Sequence, residues 1–265
     1  MGKYFTVEVK PTIKASEQAA GTAAYSADDV LFDWTAIQVP RGANKLISAT
    51  LIHRGIDGAT QTSRDIDVYF AKSIDGTAPV TIGNSNATMS AAPIVANHII
   101  GQVHIESGDG TNANSIDLWN MYQTGSGGAN SMIPACILEA EVNSGDNVGY
   151  DTLYVAASTG GILSFGTTVL VSNAIAADNT TIIPTQATAD GNDTPNAQNK
   201  FAVGDVIHSA TDDVLGTIAS IGAFDTDLDP DAQRIILTAN NVDAIADNEE
   251  IFNVNPIRLI LSFEK

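Results

Sequence analysis

Apolar and polar residues alternate along this chain in short runs with a period of two, which is the signature of half-buried β-strands. In DIDVYFAKS, residues 65–73, Ile66, Val68 and Phe70 face one side while Asp65, Asp67 and Tyr69 face the other. The run IRLILSFEK sorts the same way, with Ile257, Leu259, Leu261 and Phe263 on one face and Arg258, Ile260, Ser262 and Glu264 on the other. Comparable runs are YFTVEVK, VLFDWTAIQV, KLISATLIH, IIGQVHIE, ACILEAEV, TLYVAA, TTVLVS, DVIHSA, LGTIASI and RIILTA, each bounded by clusters of Gly, Asn, Asp and Ser. Helical periodicity is scarce: SAAPIVANHII, near 90–100, comes nearest to a helix, and NNVDAIADNEE has room for a turn or two. The pattern predicts an all-β protein, an antiparallel β-sandwich of jelly-roll-like kind.

Charge divides the chain. Of 12 basic and 31 acidic residues, the stretch 166–253 holds two basic (Lys200 and Arg234) and fourteen acidic, a local charge of -12 out of -19. Within it, VGDVIHSATDDVLGTIASI reads as a hairpin turning at Thr211, Asp212 and Asp213, with a further strand at Arg234–Thr238. We therefore expect a β-sandwich built from residues 1–165 and completed by a final strand at 254–265. An acidic small β-barrel domain, 166–253, is inserted between the two parts. At 265 residues the chain can bury a core without covalent staples, and the single cysteine, Cys136, reads as a small core residue. The excess of acid disfavours nucleic acid as a partner, because that binding depends on clustered Lys and Arg. No apolar run approaches the roughly 20 residues of a membrane span or forms a signal peptide, so neither a membrane nor an export route is expected. MGKYFT formally fits a myristoylation pattern, which we read as accidental because a strand begins at once.

Chemistry is harder to find. HExxH, paired CxxC, GxGxxG and a phosphate-binding loop are missing, and GNSNA at Gly83–Ala87 only approaches GxSxG. His53, His98, His104 and His208 all fall in or beside apolar runs, where half-buried strand positions explain them better than metal ligation. Asp65 and Asp67, roughly 7 Å apart on one strand face, have the spacing of a working carboxylate pair and equally that of a wet sheet surface. Asp225, Asp227, Asp229 and Asp231 in FDTDLDPDAQR alternate like calcium ligands. Pro230 and Ile236, however, stand where an EF-hand needs glycine and glutamate. SGDGTNANSID is a second acidic loop of that kind. Trp34 alternates with Phe32 and so belongs to the core, whereas Trp119 and Tyr122 adjoin a Gly/Ser/Asn loop suited to contact a sugar. No catalytic, cofactor-binding or metal-binding residue is assigned, and no cofactor is expected.

Two stretches carry a resemblance. DIDVYFAKS and DTLYVAASTGGILSF resemble strands of β-sandwich structural proteins that decorate the virions of tailed bacteriophages, particularly phages of marine bacteria. Shorter members run from a segment like YVAASTGGILSF almost directly into a last strand like IRLILSF, whereas this chain inserts the acidic stretch between them. The resemblance implies a non-enzymatic virion component assembled in the host cytoplasm, a capsid decoration or cement protein. Its implied partners are the major capsid protein or other virion subunits and further copies of itself in a closed homo-oligomer such as a trimer. The alternative is a tail, neck or spike module that binds a host-surface glycan; a third expectation, a polysaccharide hydrolase, lacks a recognisable acid/base pair.

Overall fold

The computed structural model describes residues 3–18, 25–54, 65–90, 97–106, 110–112, 116–122, 136–187, 196–224 and 233–265. Their regular secondary structure is almost entirely antiparallel β. One sheet runs β1 (Tyr4–Val9), β16 (Ile257–Glu264), β3 (Asn44–Arg54), β7 (Ile116–Tyr122) and β6 (Gly110–Asn112), and the short β8 (Cys136–Leu138) also pairs with β3. The second runs β2 (Val30–Pro40), β9 (Tyr150–Thr159), β4 (Ile66–Lys72) and β5 (His98–Ile105). Along the chain, β1, β3, β7 and β16 fall in the first sheet and β2, β4, β5 and β9 in the second, so the connections cross between layers as in a jelly roll.

The alternation predicted for the strands decides what lies between the layers. Ile66, Val68 and Phe70 of β4 and Ile257, Leu259, Leu261 and Phe263 of β16 are all fully buried in one cluster drawn from both sheets. Each such side chain contributes about 1.5–3 kcal/mol on burial. Strand β16 is central, hydrogen-bonded to β1 on one side and to β3 on the other.

A second six-stranded sheet follows the order β10 (Val169–Leu170), β15 (Glu250–Asn253), β12 (Val206–Ser209), β13 (Val214–Ile221), β14 (Gln233–Leu237) and β11 (Ile182–Thr185). A bridge between Val171 and Thr185, with Gln186 N donating to Leu170 O at 2.9 Å, brings the last strand back to the first and nearly closes a barrel. The barrel has its own apolar cluster, from Val169 to Ile251, which shares no residue with the sandwich cluster. The β12–β13 hairpin turns where expected: Thr211 Oγ1 donates to Asp213 Oδ2 at 2.6 Å, and Asp212 takes the left-handed conformation, φ +69°.

Three expectations change. His98–Ile105 is a strand, so the helix read into residues up to 100 does not extend there; residues 91–96 lie outside the described ones. Two short helices were not anticipated, α1 (Ala15–Gln18) and α2 (Ala197–Lys200), the latter capped by Asn196 Oδ1, which accepts from Gln198 N at 2.9 Å. Trp34 lies outside the main core. Phe32 pairs with Ala157 and Thr35 with Val155, so a bulge places three steps of β2 opposite two of β9 and reverses the facing of Trp34. The indole packs in a small outer cluster with Val30, Ile82, Met89 and Ala156 and donates to Val80 O at 2.9 Å.

Strand direction fixes two ends of the sandwich. Pro40 pairs with Tyr150, Lys72 with Leu153, and Lys45 with Glu264, which places the β2–β3 turn and the end of β16 at one pole. At the opposite pole Thr159 pairs with Ile66 and Ile257 with His53. The acidic barrel leaves β9 and rejoins β16 at this second pole.

Candidate functional site

The most elaborate polar constellation is the seam between sandwich and barrel. Asp205, on the barrel and only 1% exposed, accepts through Oδ1 from Arg54 Nη2 at 2.5 Å and from Arg258 Nη2 at 2.9 Å. Its Oδ2 accepts from Asn253 Nδ2 at 2.8 Å and Ala202 N at 2.9 Å. Both arginines end or begin sandwich strands, so one carboxylate is clamped by cations from the other body. Glu8 Oε1 lies 3.4 Å from Arg258 Nη1.

Helix α1 lies along the same seam. Gln18 Nε2 donates to Ile13 O and Asn253 O, both at 2.9 Å, and Ala15 N donates to Asp212 Oδ1 at 2.6 Å. Glu17 Oε2 accepts from the Tyr25 hydroxyl at 3.0 Å and Ser85 Oγ at 2.8 Å. Burial, followed by the neighbouring Glu17 charge, pushes the Tyr25 phenol far above its ordinary pKa. A solvent-open crevice of about 290 Å³ runs between the bodies, lined by Gln18, Arg54, Phe165, Lys200, Phe252 and Asn253 among others. Its polar lining is committed to the protein itself: Gln18 and Arg54 as above, and Lys200 Nζ to Phe165 O at 2.6 Å. This arrangement joins two bodies: apart from the buried Arg54 Nε, the donors just named are turned toward the chain.

The four histidines divide into two kinds rather than sharing the half-buried character expected of them. His53 is fully buried, edge-on to Phe165 with ring centroids 4.8 Å apart; burial, with Lys200 nearby, lowers its pKa to about 3. His208, 2% exposed, has Nδ1 3.3 Å from Asp212 Oδ1, and burial lowers its pKa against the pull of that carboxylate. His98 and His104 are exposed on β5.

Asp65 and Asp67 meet a partner the sequence reading did not name. Asp67 is opposite His104 on β5 and opposite Ser158 on β9. His104 Nδ1 lies 2.8 Å from Asp67 Oδ1, which also accepts from Gln102 Nε2 at 2.9 Å, while His104 Nε2 lies 3.9 Å from Asp65 Oδ2. The hydrogen bond to Asp67 is the main reason the imidazole's pKa is raised. Ser158 bonds to the Tyr69 hydroxyl at 3.2 Å, so the row reads serine, aspartate, histidine, with the acid between the other two. In a nucleophilic triad the imidazole stands in the middle, so this order does not make a charge-relay system. Among the described residues no group of three His, Cys, Asp or Glu is arranged to hold a metal ion.

The other candidates fare differently. Asp225, Asp227, Asp229 and Asp231 lie outside the described residues, as do 107–109 and 113–115 of the second acidic loop. Trp119 and Tyr122 are placed by backbone register opposite Leu51 and Ser48, and the Gly/Ser/Asn loop after them lies outside the described residues. Cys136 is half-buried at the margin of the sandwich core. No helix among the described residues is long and apolar enough to cross a membrane.

The Asp205 cluster was invisible in sequence because its members lie 151 and 53 positions apart. The Asp67–His104 pair left a trace, since both stand on the polar side of alternating strands. No protein-family model matches the chain, and no curated protein is significantly similar to it. What the folded chain defines on its own is a class: a jelly roll carrying a nearly closed acidic barrel between its last two strands.

Proposed function

We propose that this chain is a non-enzymatic structural component of a tailed-bacteriophage virion, a decoration protein that cements the head by contacts between subunits. The observation that carries the reading is the division of labour along the molecule. A jelly-roll body of modest charge is joined at one pole, through the Arg54–Asp205–Arg258 clamp, to a barrel-forming stretch carrying -12. The strands resembling phage decoration proteins, β4 and β9, are adjacent in this body. Function then comes from buried contact area on a shell under internal pressure, and the acidic barrel faces solvent and keeps neighbouring particles apart.

A second reading, a tail or spike module that grips a host glycan, draws on the row of half-buried Asp67 and exposed Gln102 and His104. Imaging of particles in which the chain bears a bulky label separates the two. Label distributed symmetrically over the head supports decoration; label at a single vertex supports the tail reading; particles without label refute both.

A further inference from the structure

We infer that His208 is an acid-operated latch in the seam: protonation of its ring releases helix α1 from the barrel, while the Asp205 clamp keeps the two bodies tethered. The latch does not depend on the decoration reading, because it concerns how the chain holds its own two bodies together.

His208 lies in β12, 2% exposed, with its ring tilted against Phe252 of β15 at 5.9 Å between centroids. Each ring nitrogen faces a group that also holds α1. Nδ1 is 3.3 Å from Asp212 Oδ1, and that same oxygen accepts from the amide of Ala15, the first residue of α1, at 2.6 Å. Nε2 is 3.5 Å from Gln18 Nε2, at the other end of the helix. A carboxylate only accepts, so the partners assign the tautomer: Nδ1 carries the proton and donates to Asp212, which leaves Nε2 bare. Gln18 Nε2 has two hydrogens and gives one to Ile13 O of its own segment and one to Asn253 O at the end of β15, each at 2.9 Å. That amide is the bolt between the bodies, and a bare imidazole nitrogen sits beside it without conflict.

A second proton changes the contact. An Nε2–H would point at an amide nitrogen that has no lone pair to offer, and the carbonyl within reach, Asn253 O, already takes Gln18's hydrogen. The imidazolium can have that oxygen only by displacing Gln18 or by meeting its N–H head-on. Burial is the main cause lowering the pKa of His208, outweighing the pull of Asp212 and of the Asn253 carbonyl. The charged groups around the ring come from every side. Asp212 is in contact with it on its own hairpin; Glu17 on α1 is held by Tyr25 and Ser85, and Glu250 on β15 accepts from Thr168. Asp205 lies beyond Asn253 Nδ2, and Arg54 and Lys200 line the crevice with Gln18. The folded ring titrates below its ordinary value of 6.5, so the latch is shut above that pH and lets go as pH falls through the folded value.

The test is amide hydrogen exchange on the intact chain near pH 7.5 and near pH 5, read by mass spectrometry and corrected for the pH dependence of chemical exchange. Protection of residues 13–18 is expected to fall about tenfold at the lower pH, while β16 in the sandwich core keeps its own. His208→Asn, which retains a donor toward Asp212 and cannot charge, is expected to protect residues 13–18 equally at both. Unchanged protection in the parent overturns the latch, as does an equal loss in His208→Asn, which assigns the opening to a carboxylate. Loss that extends to β16 also overturns it, since acid is then unfolding the whole body. Should His208→Asn fail to fold, the imidazole nitrogen shifts of the parent decide. Nε2 gaining its proton over the pH range in which α1 opens supports the latch, and opening while Nε2 is still bare overturns it.

Discussion

Replacing Asp205 by Asn keeps the shape of the side chain and removes the charge on which Arg54 and Arg258 converge. Of its four hydrogen bonds, those from the Ala202 amide and from Asn253 Nδ2 both end on Oδ2 and are lost when that oxygen becomes an amide group, and both guanidinium contacts lose their charge assistance. Breaking a buried ion cluster at one member costs about 3–5 kcal/mol. The lower end applies, because the arginine side chains remain 14% and 25% exposed and Glu8 stays beside Arg258. We expect a loss of about 3 kcal/mol in urea unfolding at pH 7. Both tryptophans, Trp34 and Trp119, belong to the sandwich, so fluorescence reports that body while far-ultraviolet circular dichroism reports both. The buried Nε atoms of Arg54 and Arg258 lack hydrogen-bond partners, so the cluster is imperfectly compensated even when intact. A variant that also carries Arg54→Met and Arg258→Met should therefore recover most of the loss. A change below about 0.5 kcal/mol for Asp205→Asn, or simple additivity in the combined variant, would refute the account of a charge-compensated seam.

Three further outcomes are expected. His53 has a folded pKa near 3 and an unfolded one near 6.5, so its contribution is complete above pH 6.5 and is lost as pH falls toward 3, about 2 kcal/mol by pH 5; His53→Met should flatten that part of the stability–pH curve, and an unchanged slope would contradict the assignment. A Cβ at Gly101 would sit 2.5 Å from Cys136 Sγ and 2.8 Å from Leu138 Cδ2, so Gly101→Ala should cost about 1–3 kcal/mol in thermal unfolding, partly restored by adding Cys136→Ala. Phe165 and Asn253 line the same crevice, so replacing 167–253 by a short linker should leave a folded jelly roll, checked by circular dichroism, and the excised barrel should fold alone.

The jelly roll was legible because its information is local. Ile257, Leu259, Leu261 and Phe263 declare their face by parity alone, and every one of them is buried. Parity also explains the failure at Trp34, where one bulge reverses the facing of everything beyond it, and bulges have no reliable signature in a single sequence. Asp65 and Asp67 were correctly located on an outward face, yet the group that organises them, His104, comes from a neighbouring strand whose register no local pattern specifies. The seam was least legible of all. Arg54 and Arg258 read as ordinary strand ends, and their significance arises only when the barrel brings Asp205 between them.

The central position of β16 has a consequence for biosynthesis. On the ribosome, β1 and β3 emerge long before the strand that must lie between them, and the whole barrel is synthesised in the interval. The nascent jelly roll must wait with two unsatisfied strand edges and an open apolar slot, and the barrel waits nearly as long, because β15, the strand between β10 and β12, ends at Asn253 just before β16 begins at Ile257. Both bodies are thus completed almost together at the end of synthesis, the barrel by β15 and its older host by the arrival of a single eight-residue strand.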